Sequence, residues 1–100
     1  MDKEEKNSWG VYILQCGDGT LYTGSTDNLA RRLTAHRAGK GAKYTRGRGP
    51  LQLRYWCQCK DRSDALRQEW KIKQLSRNEK WNLIANAEEN LLLHTSGTNI

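Results

Sequence analysis

The run Trp9-Gly-Val-Tyr-Ile-Leu-Gln-Cys16 constrains the fold most, because it is almost unbroken in apolar character and rich in β-branched and aromatic residues. It reads as a strand buried on both faces. Gly17-Asp18-Gly19 supplies a turn and Thr20-Leu-Tyr-Thr23 a second strand, so the segment predicts an antiparallel hairpin. That hairpin brings Tyr12 and Tyr22 close together from two strands. The chain has 100 residues. A chain of this length buries about two-thirds of its surface and does not divide into two cores, so one domain and one site are expected.

Gly24 closes the second strand, and Thr26 or Asp27 is placed to cap a helix over residues 28–38. Leu29 and Leu33 mark its buried stripe. Arg32 and His36, four residues apart, point the same way at the border of the core. Leu51, Leu53, Tyr55, Cys57 and Cys59 share one parity, with Gln52, Arg54 and Gln58 on the other, which predicts a half-buried third strand. Asp61 with Asp64 opens a helix over 62–75, and the box Ser76-x-x-Glu79 opens another that runs to about Ala85. Residues 1–7 and 87–100 read as flexible termini around a domain at 8–86.

Charge is distributed unevenly. The formal net charge is +6, and from Asn28 to Lys60 there are nine Lys or Arg and no acid. A segment of one sign builds a local positive potential that attracts polyanions. The glycine-punctuated stretch from Gly39 to Gly49 lets backbone approach a ligand closely, and as a mobile basic loop it can close over a phosphate chain. Arg31, Arg37, Lys40, Lys43, Arg46 and Arg48 are the candidate phosphate contacts, and a basic surface without a partner is the plainer alternative. No run approaches the length of a membrane span, and nothing resembles a signal peptide, so a cytoplasmic location without membrane association is expected. The three cysteines lack the spacing of a zinc knuckle and read as ordinary thiols.

On the helix of residues 62–75, Ala65, Leu66, Trp70 and Ile72 define an apolar arc, and Glu69 falls inside it, about 40 degrees from Ala65. A carboxylate taken into low dielectric costs several kcal/mol unless it is paired or bound to a cation. Two readings follow: an ion pair with Lys73 or an arginine, or ligation of a hard cation. A single carboxylate can hold Mg2+ when phosphate and water fill the remaining positions.

Taken in order, Gly10-Val-Tyr12, Tyr22-Thr-Gly24, Arg32 in the helix that follows, the segment Gly39-Lys-Gly-Ala-Lys-Tyr-Thr-Arg46 and Glu69 within Ala-Leu-Arg-Gln-Glu-Trp resemble the GIY-YIG nuclease family, in its small single-domain bacterial branch. Val11 stands where the first motif often has Ile. The resemblance covers roughly residues 8–84 and implies a compact α/β domain with a three-stranded antiparallel sheet flanked by helices. It also implies hydrolysis of DNA phosphodiesters with Mg2+ or Mn2+. By the same resemblance Tyr22 is the general base, Tyr12 its hydrogen-bonding neighbour, Arg32 the contact to the scissile phosphate and Glu69 the metal ligand. His36 is a candidate proton relay and Tyr44 a further polar site residue. The asparagine that many family members carry after the acid has no firm match, although Asn82 and Asn86 follow Glu69.

The expected function is therefore a metal-dependent DNA endonuclease directed to structured or damaged DNA, or nonspecific. A noncatalytic nucleic-acid-binding protein, with RNA as a possible ligand, and a protein-interaction module in a repair assembly are the alternatives. Arginine suits the phosphate because its guanidinium keeps its charge and offers several fixed donors. A nearby cation also favours the phenolate form of a tyrosine, whose reference pKa lies near 10.

Overall fold

The computed structural model describes residues 8–98, with side chains to Glu89. Residues 1–7, read above as a flexible leader, lie outside the described residues. The elements are β1 (Gly10–Gln15), β2 (Leu21–Thr26), α1 (Leu29–Arg37), a single 3-10 turn (Lys43–Thr45), β3 (Gln52–Gln58), α2 (Arg62–Lys73) and α3 (Arg77–Thr98). The strands form one antiparallel sheet in the order β2-β1-β3.

The central position of β1 accounts for its apolar run. Val11 and Ile13 point into one cluster with Cys59, Ala65, Ile72 and Ile84, beneath α2 and α3. Tyr12, Leu14 and Cys16 point into the other with Leu51, against Leu29 and Leu33 of α1. The expected three-stranded antiparallel sheet flanked by helices is thus the fold observed, with α1 on one face and α2 and α3 on the other. Among the described residues no helix is long and apolar enough to cross a membrane.

The third strand departs from simple alternation. Its register against β1 shifts between Ile13, which faces Tyr55, and Leu14, which faces Leu53. The extra residue, Arg54, reverses the direction of the side chains beyond it. Tyr55 consequently packs with Val11 and Ile13, whereas Leu51, of the same parity, packs with Tyr12 and Leu14. Parity alone put these residues on one face, and the bulge is what separates them.

Helix α2 turns a narrower face inward than expected. Ala65 and Ile72 are buried, but Leu66 is 43% and Trp70 65% exposed. The small Ala65 side chain lets the helix lie close to the sheet, and half of the predicted arc is left in solvent. The cap of α1 is also corrected: the side chain of Asn28, rather than of Thr26 or Asp27, accepts from the Arg31 amide at 3.1 Å. The local boxes of α2 and α3 form as read. Asp61 accepts from the Asp64 amide at 2.8 Å, and Ser76 and Glu79 exchange bonds of 2.8 and 3.1 Å. Helix α3 continues to Thr98, past the end expected near Ala85. The three cysteines are free thiols, with Cys16 and Cys59 buried.

Candidate active site

The hairpin register sets the first part of the site. Tyr12 lies opposite Gly24, and Leu14 opposite Tyr22, so both phenol rings occupy the α1 face of the sheet with centroids 6.3 Å apart. Gly24 is required by close approach: a Cβ there would sit 2.5 Å from the Tyr12 hydroxyl oxygen. The second tyrosine motif therefore carries glycine because Tyr12 fills the space above it.

Helix α1 delivers Arg32 and His36 to the same place. The sequence put His36 at the border of the core, but it is inside, only 2% exposed. Its Nε2 lies 2.8 Å from the Tyr12 hydroxyl and its Nδ1 2.8 Å from Thr45 Oγ1. Thr45 donates its single hydroxyl proton to the Ala42 carbonyl at 3.0 Å. Nδ1 of His36 must then carry the proton that Thr45 accepts, which leaves Nε2 of the neutral ring to accept from Tyr12. Burial, and secondarily the Arg32 charge, hold the His36 pKa below its ordinary value, in keeping with a neutral imidazole.

Tyr12 is the hub of this network. Its hydroxyl donates to His36 and accepts from Arg32 Nε at 3.3 Å. Burial pushes its pKa up, opposed by the Arg32 hydrogen bond, while the phenols of Tyr12 and Tyr22 both favour the charged form of Arg32. Tyr22 is only half-buried and has its ring 5.4 Å from that of His36. Tyr44, 43% exposed, stacks on Tyr22 at 5.8 Å and carries the Arg48 guanidinium 4.5 Å above its ring.

Glu69 reaches the site from the opposite face of the sheet. Strand β2 is an edge strand, and Ser25, adjacent to Gly24, points toward α2. Ser25 Oγ donates to Glu69 Oε1 at 2.6 Å, and Lys73 Nζ pairs with Oε2 at 2.7 Å. The carboxylate is 17% exposed and the lysine 48%. The ion pair weighed from sequence has therefore formed, but its lysine is half in solvent. The Glu69 charge also reaches the Tyr12 phenol, where it contributes to the raised pKa. Tyrosines, arginine and carboxylate thus surround one stretch of the β2 edge.

The basic loop is anchored along its length. Arg48 pairs with Asp18 at 2.7 Å, and its carbonyl accepts from the Gly17 amide. A Cβ on Gly41 would run into the His36 ring, so the loop backbone covers the imidazole directly. Arg48 is thereby committed within the chain. Arg31, Arg37, Lys40, Lys43 and Arg46 are exposed and carry no ion pair among the described residues. A cavity of about 390 Å³ lies between this loop and the Thr45 side of His36, lined in part by Arg37, Gly39, Gly47 and Leu51.

Two positioning residues escaped the sequence reading. Ser25 holds Glu69 across 44 positions, and Thr45 sets the imidazole tautomer across nine. Neither has a spacing that marks it, because both contacts depend on how β2, α1 and α2 pack.

The chain is similar to known proteins over most of its length. Residues 8–82 match the GIY-YIG catalytic domain. A UPF0213 protein of Desulfotalea psychrophila is 51% identical over 86 residues, which are 85% of this chain and 78% of the relative. A UPF0213 protein of Oceanobacillus iheyensis is 53% identical over 79 residues, 79% of this chain and 92% of the relative. Among solved structures, the solution structure of a UPF0213 protein from Bacillus halodurans superposes with a TM-score of 0.51 at 47% identity, covering 77% of this chain and 82% of that one. A protein from E. faecalis superposes with a TM-score of 0.58 at 36% identity, covering 86% and 92%. With the motif tyrosines, arginine and glutamate carried by the expected elements, the chain belongs to the GIY-YIG nuclease family, among its small bacterial UPF0213 members.

Proposed function

We propose that this chain is a divalent-metal-dependent endonuclease that hydrolyses DNA phosphodiesters, acting on backbone shape, branching or damage more than on base sequence. The observation that carries the reading is the meeting of Arg32 with two phenols on one side of the β2 edge and Glu69 on the other. Phosphate contacts position a protein without reading bases, and the exposed cations of α1 and the loop offer contacts of that kind.

Tyr22 suits the general base better than Tyr12. The Tyr12 proton is donated to His36 and its ring is fully buried, whereas Tyr22 is half-open to solvent. A phenol accepts a proton from water only as phenolate, and Arg32 is the cation that lies beside both phenols. As the water oxygen bonds to phosphorus, its proton passes to Tyr22, the bond to one sugar oxygen breaks, that oxygen takes a proton from solvent water, and Arg32 offsets the charge on the phosphate. Neutral His36 accepts the Tyr12 hydroxyl proton as a hydrogen bond at Nε2 while Thr45 holds the ring, which fixes the Tyr12 hydroxyl beside Arg32.

The residues present fit a hard cation held by one carboxylate. Glu69 offers anionic oxygen, with Ser25 orienting Oε1. No cluster of three or more His, Cys, Asp or Glu occurs among the described residues, so the remaining ligands would come from phosphate and water, as suits Mg2+ or Mn2+. When bound, such an ion supplies positive charge to the phosphate and the departing oxygen. Lys73 occupies the cationic position beside Oε2 and is exposed enough to swing away.

Incubation with supercoiled, branched and single-stranded DNA in Mg2+ or Mn2+ tests the reaction. Nicking is expected, and Tyr22→Phe, Arg32→Ala and Glu69→Gln should each lower it by about 100-fold or more. Absence of nicking on every substrate, or full activity in these variants, refutes the reading. The Glu69–Lys73 pair favours one alternative, a noncatalytic DNA- or RNA-binding protein. In that case salt-sensitive binding persists without a divalent ion and survives all three substitutions.

A further inference from the structure

A second cationic cleft adjoins the tyrosines, and its cations lie outside the basic segment 28–60. It has a volume of about 190 Å³ and is lined by Thr20, Leu21, Tyr44, Arg77 and Lys80. Three separate parts of the chain build it: the start of β2, the 3-10 turn, and the first turn of α3. Arg77 and Lys80 are three apart on the helix and therefore face the same way. The Arg77 guanidinium reaches the β1–β2 turn, since a Cβ at Gly19 would lie 3.8 Å from its Nη2.

The electrostatics of the cleft favour an anion. No acid lines it. Asp18, the nearest acid in the β1–β2 turn, is paired with Arg48 and accepts from Thr20. Glu79 is turned away onto the Ser76 amide. Among the described residues neither Arg77 nor Lys80 carries an ion pair. No described residue therefore compensates either cation, and both lie beside a wall made by the ring that stacks on Tyr22.

The direction of the cleft indicates its ligand. Leu21 and Ser25 share one face of β2, and four residues of strand span about 13 Å. That length is about four base-pair steps of duplex. Glu69 stands over the Ser25 end of that face and Arg77 and Lys80 over the Leu21 end, with Tyr22 on the other face of the same edge strand. A backbone laid along this exposed edge, with one phosphate at Arg32 and Glu69, brings a phosphate a few nucleotides farther along to the cleft. We infer that the cleft is a binding subsite for a backbone phosphate flanking the one cut, with Arg77 and Lys80 as its contacts and Tyr44 as its wall. The inference rests on the nuclease reading for the identity of the polyanion, and on the cleft itself for the contacts.

The test measures binding apart from cutting. A short fluorescein-labelled DNA, single-stranded or duplex, is titrated without divalent ion over a range of salt. Compared are the wild-type chain, Arg77→Ala/Lys80→Ala, Arg77→Lys, and the control Arg67→Ala/Lys71→Ala on the exposed face of α2. The cleft variant is expected to bind about tenfold more weakly at low salt and to lower the slope of log affinity against log salt by about one to two, the loss of one or two phosphate contacts. Arg77→Lys should retain most of the affinity, and the control should retain the slope. In nicking assays the cleft variant should raise KM and leave kcat near wild type. Wild-type affinity and slope in the cleft variant overturn the inference, as does an equal loss in the control, which would mark a diffuse charge effect. A wild-type chain that binds DNA with a slope reduced by the cleft variant yet never nicks overturns the nuclease reading and leaves the cleft standing. A wild-type chain that neither binds nor nicks overturns both.

Discussion

The hydroxyl of Tyr12 donates to Nε2 of His36 at 2.8 Å, joining a strand from the centre of the sheet to the helix that covers it. Both residues are buried, and the His36 ring is held from its other side by Thr45. The contact therefore supports the fold as well as the candidate chemistry.

Removing the imidazole should be costly. His36→Ala leaves the Tyr12 hydroxyl without its acceptor and Thr45 without its donor, and opens a void. The expected loss is about 2–4 kcal/mol. Tyr12→Phe removes only one partner and should cost about 1–2 kcal/mol. Urea denaturation of the two variants checks the order, and a His36→Ala midpoint indistinguishable from wild type would contradict the network.

The same pair predicts a pH window. His36 is harder to protonate folded than unfolded, so below its ordinary value of 6.5 the unfolded chain binds more protons. Its stabilising contribution is full above 6.5 and is lost as pH falls through the lower folded pKa. Tyr12 is shifted the other way, above its ordinary 10.0, so its contribution is full below that value and is lost as pH rises through the higher folded pKa. Denaturant midpoints should accordingly fall on the acid side in wild type and fall less in His36→Gln. An equal acid loss in both proteins would assign it to other groups.

Gly24→Ala should disturb the site without removing any functional group. Its Cβ would press on the Tyr12 hydroxyl at 2.5 Å and force the ring or the strand to move. A destabilisation of about 1–3 kcal/mol is expected, together with loss of nicking. Unaltered thermal unfolding would show that the ring has room that the register denies it.

Lys73 and a divalent ion should compete for Glu69. Lys73→Met frees Oε2 from its 2.7 Å partner, so Mn2+ measured by calorimetry should bind about tenfold more tightly, and Glu69→Gln should abolish that binding. Weaker Mn2+ binding in Lys73→Met would indicate that the lysine supports the metal site and does not compete for it.

The inward face of α2 can be checked by stability alone. Trp70 is 65% exposed and Ile72 is buried. Trp70→Ser should therefore stay within about 0.5 kcal/mol of wild type, whereas Ile72→Ala should cost about 2–4 kcal/mol. Reversal of that order would restore the wider apolar arc.

What could be read from the residues in order were features that close within a few positions or repeat at a fixed period. The Trp9–Cys16 run declares a strand covered on both sides, and Gly17-Asp18-Gly19 declares its turn. Asp61 with Asp64 and Ser76 with Glu79 declare helix starts, because each box bonds across one turn. The ordered tyrosine, arginine and glutamate motifs declare the family.

Packing decided the rest. A period assigns each residue an angle but does not say which part of an apolar arc is covered, so Ala65 and Ile72 went inward while Leu66 and Trp70 stayed out. One bulge residue, Arg54, separated Leu51 from Tyr55, which alternation had placed together. The partners that orient the site, Thr45 on His36 and Ser25 on Glu69, meet only after the sheet has fixed its register and the helices have docked on it. Side chains that meet through packing leave no local pattern in the chain, and so Arg77 and Lys80, far from the basic segment in sequence, become neighbours of Tyr44 only in three dimensions.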